Sequence, residues 1–182
     1  MSTTINFGSL HLPIDELATT ASIGHFSSPR FGWTLSAGGI LGGQIEHRDI
    51  TGGGAVAAQV SWLPVYEGEN HPFVAFTGTA SWAYARAAAD DDKMHGWSAG
   101  DFRGGVTVGK TFADIFVPYV SGRGFGGPVY WMHGGQSILG NDNYHYTFGA
   151  GLVVRLPANF EASIEAMPIG EKSMALGVTR HL

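Results

Sequence analysis

The sequence predicts an all-β protein, an eight-stranded antiparallel up-and-down transmembrane β-barrel, on three observations. Apolar and polar residues alternate along many segments, which is the pattern of a strand with two unlike faces. In residues 144–156 the even positions are aromatic or aliphatic, and most odd positions are polar or small. Most of these segments exceed the ~5–6 residues of a soluble strand and suit a tilted membrane strand of about 9–11 residues. From the third connection to the sixth, long and short connections alternate, as they do in transmembrane β-barrels.

Composition sets the broad class of the protein. The chain has 182 residues, so one domain is the default expectation. Charged residues make up only 14% of the chain, which is low for a soluble surface. No apolar run is long enough for a membrane-spanning helix. The net charge of −5 argues against a nucleic-acid partner, and the absence of cysteine excludes disulfides and thiolate chemistry.

The alternation places eight strands along the chain. They are predicted at residues 31–48, 54–64, 73–86, 100–112, 114–125, 143–156, 159–168 and 172–182. In the first three, one face is apolar or aromatic and the other is rich in Thr, Ser, Gln and Glu. The apolar positions there include Trp33, Leu35, Ala37, Leu41, Ile45, Val56, Ala58, Val60, Trp62, Val74, Phe76, Ala80, Trp82 and Tyr84.

The last five strands are predicted in the same way, although the fifth is less regular because Pro118 cannot donate to a ladder. Its inward positions are inferred from Ser121 and Arg123. The apolar face of the other four is given by Phe102, Val106, Val108, Phe148, Leu152, Val154, Phe160, Ile164, Met174, Leu176 and Val178.

Connections and aromatic residues add two further signs. The links after strands four and six are very short, at Ala113-Asp114 and Pro157-Ala158, whereas those after strands three and five are long. Aromatic residues collect near both predicted strand ends, as amphipathic rings do at two membrane interfaces. One group is Phe31, Trp33, Trp62, Phe73, Phe112, Phe116 and Phe160, and the other is Trp82, Tyr84, Phe102, Tyr144 and Tyr146.

Residues 31–182, with the closing strand KSMALGVTRHL, resemble the small eight-stranded bacterial outer-membrane β-barrel proteins of the OmpA/OmpX-like class. The resemblance implies a location in the outer membrane of a Gram-negative bacterium, with membrane lipid or detergent as surroundings. The alternative is a soluble ligand-binding β-barrel of the lipocalin or avidin kind. Its outside would then be rich in Gly, Ala, Ser and Thr and poor in charge.

The first 30 residues are predicted to form an N-terminal extension that is periplasmic, a plug or disordered. MSTTINFGSLHLPIDEL lacks the basic and apolar regions of a secretory signal, so we expect the signal of the exported protein to be absent from this chain. LPIDELATTAS is expected to begin a short helix, with Pro13 in its first turn.

The barrel interior is predicted to hold a charge network, because an eight-stranded barrel is filled by its own side chains. The residues of this network are Glu46, Arg103, Arg123, Arg155, Glu161 and Glu165. Unpaired charges would be costly there. We therefore expect Arg155 to pair with Glu161 or Glu165, and Arg103 or Arg123 to pair with Glu46. The alternative is a narrow path for water or ions.

The two long links, residues 87–99 and 126–142, are predicted to be external loops that contact an extracellular partner. Trp97, Tyr130 and Trp131 are expected to be exposed there, and aromatic residues in loops often mark contact surfaces. The sequence therefore predicts a non-enzymatic barrel with a structural or surface-interaction role. A narrow channel for a small or apolar solute is one alternative.

No catalytic, cofactor or metal site is predicted. The histidines lack the i, i+4 spacing of a zinc motif, and GRGFGG at 122–127 lacks the following helix of a dinucleotide fingerprint. A lipid-modifying enzyme is the remaining alternative, since His25 and Ser27 could supply a base and a nucleophile. Lipid A hydrolases among the small outer-membrane barrels carry such a pair on a lipid-facing strand with an acid nearby, whereas this pair precedes the first predicted strand.

Overall fold

The computed structural model of the chain describes residues 2–7, 10–45, 48–87, 95–133, 136–142 and 145–182. These residues form twelve β-strands and no helix. The strands are β1 (Ser2–Phe7), β2 (Leu10–Ser28), β3 (Phe31–Ile45), β4 (Arg48–Val65), β5 (Phe73–Ala87), β6 (His95–Gly109), β7 (Phe116–Gly126), β8 (Pro128–His133), β9 (Gln136–Asp142), β10 (Tyr146–Leu156), β11 (Phe160–Gly170) and β12 (Ser173–Arg180).

The predicted all-β, antiparallel, up-and-down architecture is confirmed. Each of the eight predicted strands overlaps one observed strand, namely β3, β4, β5, β6, β7, β10, β11 and β12. The predicted strand number and closure are wrong, because the sheet has twelve strands and is not closed into a barrel. Its order is β12–β11–β10–β7–β6–β5–β4–β3–β2–β1–β9–β8, with a further pairing between β6 and β8.

The four additional strands lie in segments that were predicted to be an extension and a loop. The helix predicted from LPIDELATTAS is wrong, because these residues belong to β2. Strand β2 pairs with β3 from Ile14↔Ile45 to Ser28↔Phe31. The open edge of β3 offers more backbone hydrogen bonds than one short helix, so tertiary pairing overrides local preference. The link at 126–142 folds into the antiparallel hairpin β8–β9.

Two ends of the sheet can be distinguished. The far end carries β1, β8 and β9, and the near end carries the connections 29–30, 66–72, 110–115 and 157–159. Strand β6 divides between them: Gly96–Ala99 pairs with β8 at the far end, and Phe102–Gly109 pairs with β7 towards the near end. We call the strands β2–β7 and β10–β12 the wall.

Two of the near-end connections are tight, as the sequence predicted. Ala113, Asp114, Ala158 and Asn159 have φ values of 49°, 58°, 60° and 60°, the left-handed conformation that a tight hairpin turn needs at two successive residues. The second turn is centred one residue later than predicted. Neither turn has glycine at these positions, so Ala113 and Ala158 are strained, whereas Asp and Asn adopt this conformation more readily.

The wall has an outer face that is apolar and an inner face that is polar. On β10, Phe148 is 50% exposed on the outer face, while its neighbour Thr147 is 1% exposed on the inner face. On β11, Ile164 is 41% exposed and the flanking Ser163 and Glu165 are partly buried. The apolar residues of the wall thus lie outside, opposite to their place in a soluble protein.

At the far end the inner face becomes apolar. We call this cluster of buried residues the cap: Ile5, Ile14, Ile40, Ile45, Ile50, Ala85, Trp97, Val129 and Trp131. Irregular pairing on β3 and β4 helps to build it. Gly43 and Gly52, at φ 136° and 146°, lie where the regular pairing is interrupted. An added residue shifts the alternation by one, so that Ile45 and Ile50 face inward.

Candidate functional site

The inner face carries three charged clusters along β11, which we call the charge ladder. Glu161 and Glu165 lie on β11, and Glu171 follows its last residue, so the three acids run from the near end towards the far end. Each acid forms an ion pair with one arginine from another wall strand. Alternation on β11 keeps Glu161 and Glu165 on the same face.

The far rung is centred on Arg103 of β6. Its Nη2 lies 3.1 Å from Glu171 Oε2, and its Nε donates to Asp101. The guanidinium also lies 4.7 Å from the centre of the Phe125 ring. Glu171 is only 2% exposed, and Thr147 Oγ1 donates to its backbone oxygen at 3.0 Å. A carboxylate so buried needs these partners, because burying an unpaired charge is costly.

The middle rung joins Arg123 of β7 to Glu165. Arg123 Nη2 lies 2.7 Å from Oε1 and 2.6 Å from Oε2, and the Tyr119 hydroxyl donates to Oε2 at 3.1 Å. Strand β10 lies between β7 and β11, and its inward positions there are Gly149 and Gly151. A Cβ at Gly151 would clash with the Tyr119 hydroxyl oxygen, and one at Gly149 would clash with Met167 Sδ. The two glycines therefore make room for Tyr119 and Met167 on the inner face, beside the Arg123–Glu165 pair.

The near rung is the weakest of the three. Arg155 Nε lies 3.7 Å from Glu161 Oε1, and His181 Nε2 lies 3.1 Å from Glu161 Oε2. Arg155 and His181 side chains are each half exposed. An ion pair of this exposure is worth about 0–1 kcal/mol. Beside it, the Arg180 guanidinium lies 5.6 Å from the centre of the Phe160 ring, so this cation on the outer face rests on an aromatic residue at the near end.

The ladder uses the predicted residues with partly different partners. Arg155 pairs with Glu161, one of the two acids predicted as its partner. The other, Glu165, pairs with Arg123. Glu46 lies outside the described residues. Sequence reasoning missed Asp101, which precedes Arg103 by two residues on the same face of β6, and Glu171, which lies beyond the predicted end of its strand at 168. The alternation of β6 could have identified Asp101.

The predicted loop contacts need a correction. Trp97 and Trp131 are 4% and 7% exposed, since they lie on β6 and β8 and point into the cap. Only Tyr130 is open to the surroundings, with its ring centre 6.4 Å from that of Trp82. Exposure was inferred because both residues were placed in loops, but Trp97 lies on β6 and Trp131 on the β8–β9 hairpin. Both tryptophans point inward because the far end buries apolar side chains.

The outer face forms a continuous apolar band. Its exposed aromatic residues include Phe31, Trp33, Trp62, Phe112, Phe116 and Phe160 towards the near end, and Trp82, Phe102 and Tyr146 towards the far end. A groove of about 810 Å³ crosses the band between these groups. Its floor is Ala58, Gly78, Ala80 and Gly104, small residues between the larger Trp33 and Phe102.

The His25–Ser27 pair has no described catalytic geometry. The prediction that this pair precedes the first strand is wrong, because both residues lie on β2. The His25 ring centre is 6.3 Å from that of Trp33, and no described ion pair joins an acid to His25. Among the described residues, no group of three or more His, Asp or Glu side chains could hold a metal ion. The described part of the chain likewise contains no helix long and apolar enough to cross a membrane.

Comparison with known protein families, with curated proteins and with solved structures finds no match for this chain. The resemblance to the OmpA/OmpX-like class therefore stays a prediction from the strand pattern, and any functional conclusion depends on the geometry alone.

Proposed function

We propose that this chain is a non-enzymatic integral protein of a bacterial outer membrane, with a structural or surface-interaction role. The supporting observation is the reversed polarity of the wall, whose apolar residues lie on the outer face. Soluble proteins rarely expose contiguous apolar patches larger than a few hundred Å². Hydrocarbon removes that cost, because it accepts aliphatic side chains without exposing them to water.

The height of the band agrees with a bilayer. Outward positions on β5 are apolar or aromatic from Val74 to Tyr84, a rise of about 33 Å along the strand. A strand tilt of ~40° would reduce this to ~25 Å, the height of the apolar band on membrane barrels. The groove over Ala58, Gly78 and Ala80 has the size and lining for a lipid acyl chain. Aromatic residues towards both ends match the two interfaces of a membrane.

The inner face supports a structural role better than a conducting one. The described charges of the ladder are paired, and the cap fills the far end with side chains such as Trp97 and Trp131. Ions would have to pass through this cluster of mostly apolar side chains, which is a poor substitute for their hydration shell. The exposed contact residues then lie on the β8–β9 hairpin, where Tyr130 and Leu139 face each other across the two strands.

Quenching of tryptophan fluorescence by brominated lipids tests the membrane location. In phosphatidylcholine vesicles with brominated acyl chains, we expect strong quenching from Trp33, Trp62 and Trp82, which are exposed on the outer face. Replacing Trp62→Phe should remove part of the quenched signal. The matched replacement Trp97→Phe should leave the quenched part unchanged, because Trp97 is inside the cap. Protein that stays in the aqueous phase, or equal quenching of both tryptophans, would contradict the proposal.

Planar-bilayer recording separates the structural role from the channel alternative. We expect no discrete conductance from the inserted protein, because the cap obstructs the inner face. A steady conductance that rises when cap residues are shortened, as in Trp97→Ala, would instead establish the conduit and remove the structural reading. Neither outcome depends on which partner contacts the hairpin.

A further inference from the structure

In the described part of the chain, two long strand edges of the wall have no neighbouring strand. Among the described residues, strand β12 pairs only with β11. Strand β2 pairs only with β3 from the residue after Asp15 to its end at Ser28. The open stretch of β2 runs from Leu17 to Ser28, and β12 contributes Ser173–Arg180. Natural sheets cover, shorten or charge such edges, because unpaired N–H and C=O groups attract another strand.

The two edges run in the same direction, from the far end to the near end. Successive wall strands alternate in direction. Of the nine wall strands in their order across the sheet, β2 is the first and β12 is the ninth, so both run the same way. Direct pairing of these two edges would therefore be parallel in an otherwise antiparallel sheet. A strand lying between them and running the opposite way would be antiparallel to both.

Strand β1 already occupies this arrangement at the far end. It is antiparallel to β2 from Ser2↔Asp15 to Phe7↔Leu10. On its other side, Ser2 N donates to Lys172 O at 2.8 Å and Lys172 N donates to Ser2 O at 3.2 Å. One strand thus separates the start of β12 from β2. A groove of about 610 Å³ begins beside Ser2, on its side towards the near end of the sheet. It is lined by Ser2, Asp15, Met167, Lys172 and Met174.

We propose that this groove is a binding site for one extended strand of another polypeptide, inserted between β2 and β12 in line with β1. The strand would be about as long as β12, which has 8 residues. Its outward residues would be apolar, beside Leu176, Val178 and Ile23, which are all exposed. Its inward residues would be small or polar, because the inner face beside it carries Ala18, Ser22 and Gly177. Main-chain hydrogen bonds would supply the affinity and the alternation the specificity.

Cysteine cross-linking tests the width of the gap in detergent, independently of the proposed membrane location, and the chain has no native cysteine to interfere. Counting from Ser2, which pairs with both Asp15 and Lys172, places Ala18 level with Ala175. In Ala18→Cys/Ala175→Cys, we expect no direct disulfide, because this bond needs Cα atoms within about 7 Å. A bis-maleimide of about 10 Å, the width of two strand spacings, should join the two cysteines. The directly paired Ala166→Cys/Met174→Cys is the positive control for disulfide formation.

A peptide tests the occupant. The probe is an octapeptide that alternates leucine with serine or threonine and carries one inward cysteine. We expect the peptide to form mixed disulfides with Ala18→Cys and, separately, with Ala175→Cys, and the yield should saturate with peptide concentration. A peptide with proline at its centre loses a ladder hydrogen bond, so its yield should fall at least about tenfold. A spontaneous disulfide between residues 18 and 175 would show that the two edges pair directly and overturn the proposal. Disulfide-linked dimers of Ala175→Cys would show pairing with a second copy through β12 and also overturn it, as would failure to capture the peptide at both positions.

Discussion

The cap and the wall are built from the same strands with opposite polarity. Along the inner face of β5, Thr77 and Thr79 in the wall give way to Ala83 and Ala85 at the cap. Outside, exposed Phe76 and Trp82 give way to exposed Arg86, whose guanidinium lies 5.9 Å from the Tyr84 ring centre. The cap thus has the polarity of a soluble domain, and the wall has the polarity of a membrane sheet.

This contrast teaches that alternation alone does not tell which face of a strand is buried. Alternation identifies the strand and its two unlike faces, but a one-residue shift exchanges the faces. On β3 and β4 that shift occurs beside Gly43 and Gly52, at the junction of wall and cap. What identifies the enclosed face in the wall is charge, because Arg103, Arg123 and Glu165 lie there with partners.

Removing one tryptophan from each region should give the largest difference. Trp131→Ala empties part of the cap core and is expected to lower the free energy of unfolding by about 3–5 kcal/mol. Trp62→Ala, on the outer face of the wall and 52% exposed, should cost only about 1 kcal/mol in detergent. Urea unfolding of both variants in the same detergent measures this. Equal losses would show that the two regions do not differ in packing.

Breaking the far rung should cost more than breaking the near rung of the charge ladder. Glu171→Gln leaves Arg103 without its most buried partner and is expected to cost about 3 kcal/mol, the lower end for a broken buried pair because Asp101 remains. Glu161→Gln should cost about 0–1 kcal/mol, since that pair is largely exposed. The comparison uses the same unfolding assay. A larger loss for Glu161→Gln would reverse the assigned order of burial.

Relieving strain at the near end should stabilise the wall without touching the cap. Ala158→Gly removes a side chain from a left-handed residue and is expected to raise the free energy of unfolding by about 1 kcal/mol. Ala162→Gly, on the extended strand β11, is the control and should destabilise by about 0.5–1 kcal/mol. Thermal unfolding in detergent distinguishes these opposite signs. Destabilisation by Ala158→Gly would mean that the turn is not left-handed.

The smallest expected effect is a pH dependence at the near end. The Glu67 carboxylate accepts hydrogen bonds from Thr111 Oγ1 at 2.7 Å and from Thr111 N at 2.6 Å, and these bonds lower the pKa of Glu67 below its ordinary value of 4.5. A lowered folded-state pKa adds stability above the ordinary value, and this stability is lost as pH falls through the lowered one.

Stability measured at pH 7 and at pH 3 therefore tests the contact. Wild type should exceed Glu67→Gln slightly at pH 7, and the two should converge at acid pH. In Glu69→Gln the contact with Lys110 is kept, because Lys110 Nζ donates to the backbone oxygen of Glu69. That variant should stay close to wild type. A gap between wild type and Glu67→Gln that widens on acidification would contradict the sign.

Most of the wall could be predicted from the sequence, because eight of its nine strands repeat a strong two-residue period. The missing strands show the limits of this period. β2 reads locally as a helix start near Pro13, and only the unpaired edge of β3 makes it a strand. The hairpin β8–β9 lies in the long link 126–142, which was predicted to be an external loop, and its Trp131 is buried only because the cap exists. Barrel closure was inferred from the alternation and from the lengths of strands and connections, and none of these local patterns specifies it.

The charge ladder was predictable in its members more than in its pairs. Opposite charges on one face must find partners, and register places Arg155 beside Glu161. The Arg123–Glu165 contact crosses an entire strand, so it depends on the strand order β7–β10–β11 and on the curvature of the sheet. The two-residue alternation of the sequence specifies neither the strand order nor the curvature of the sheet.

The most direct test of the reversed polarity is a spin-label scan along β5 in lipid vesicles. Single cysteines at positions 76 to 82 would carry a nitroxide, and its collisions would be measured with oxygen, which dissolves in lipid, and with a water-soluble nickel complex. The account predicts a two-residue period, with oxygen dominant at Phe76, Gly78, Ala80 and Trp82 and weak at Thr77, Thr79 and Ser81. Nickel collisions dominant at the first set, or no period at all, would contradict it.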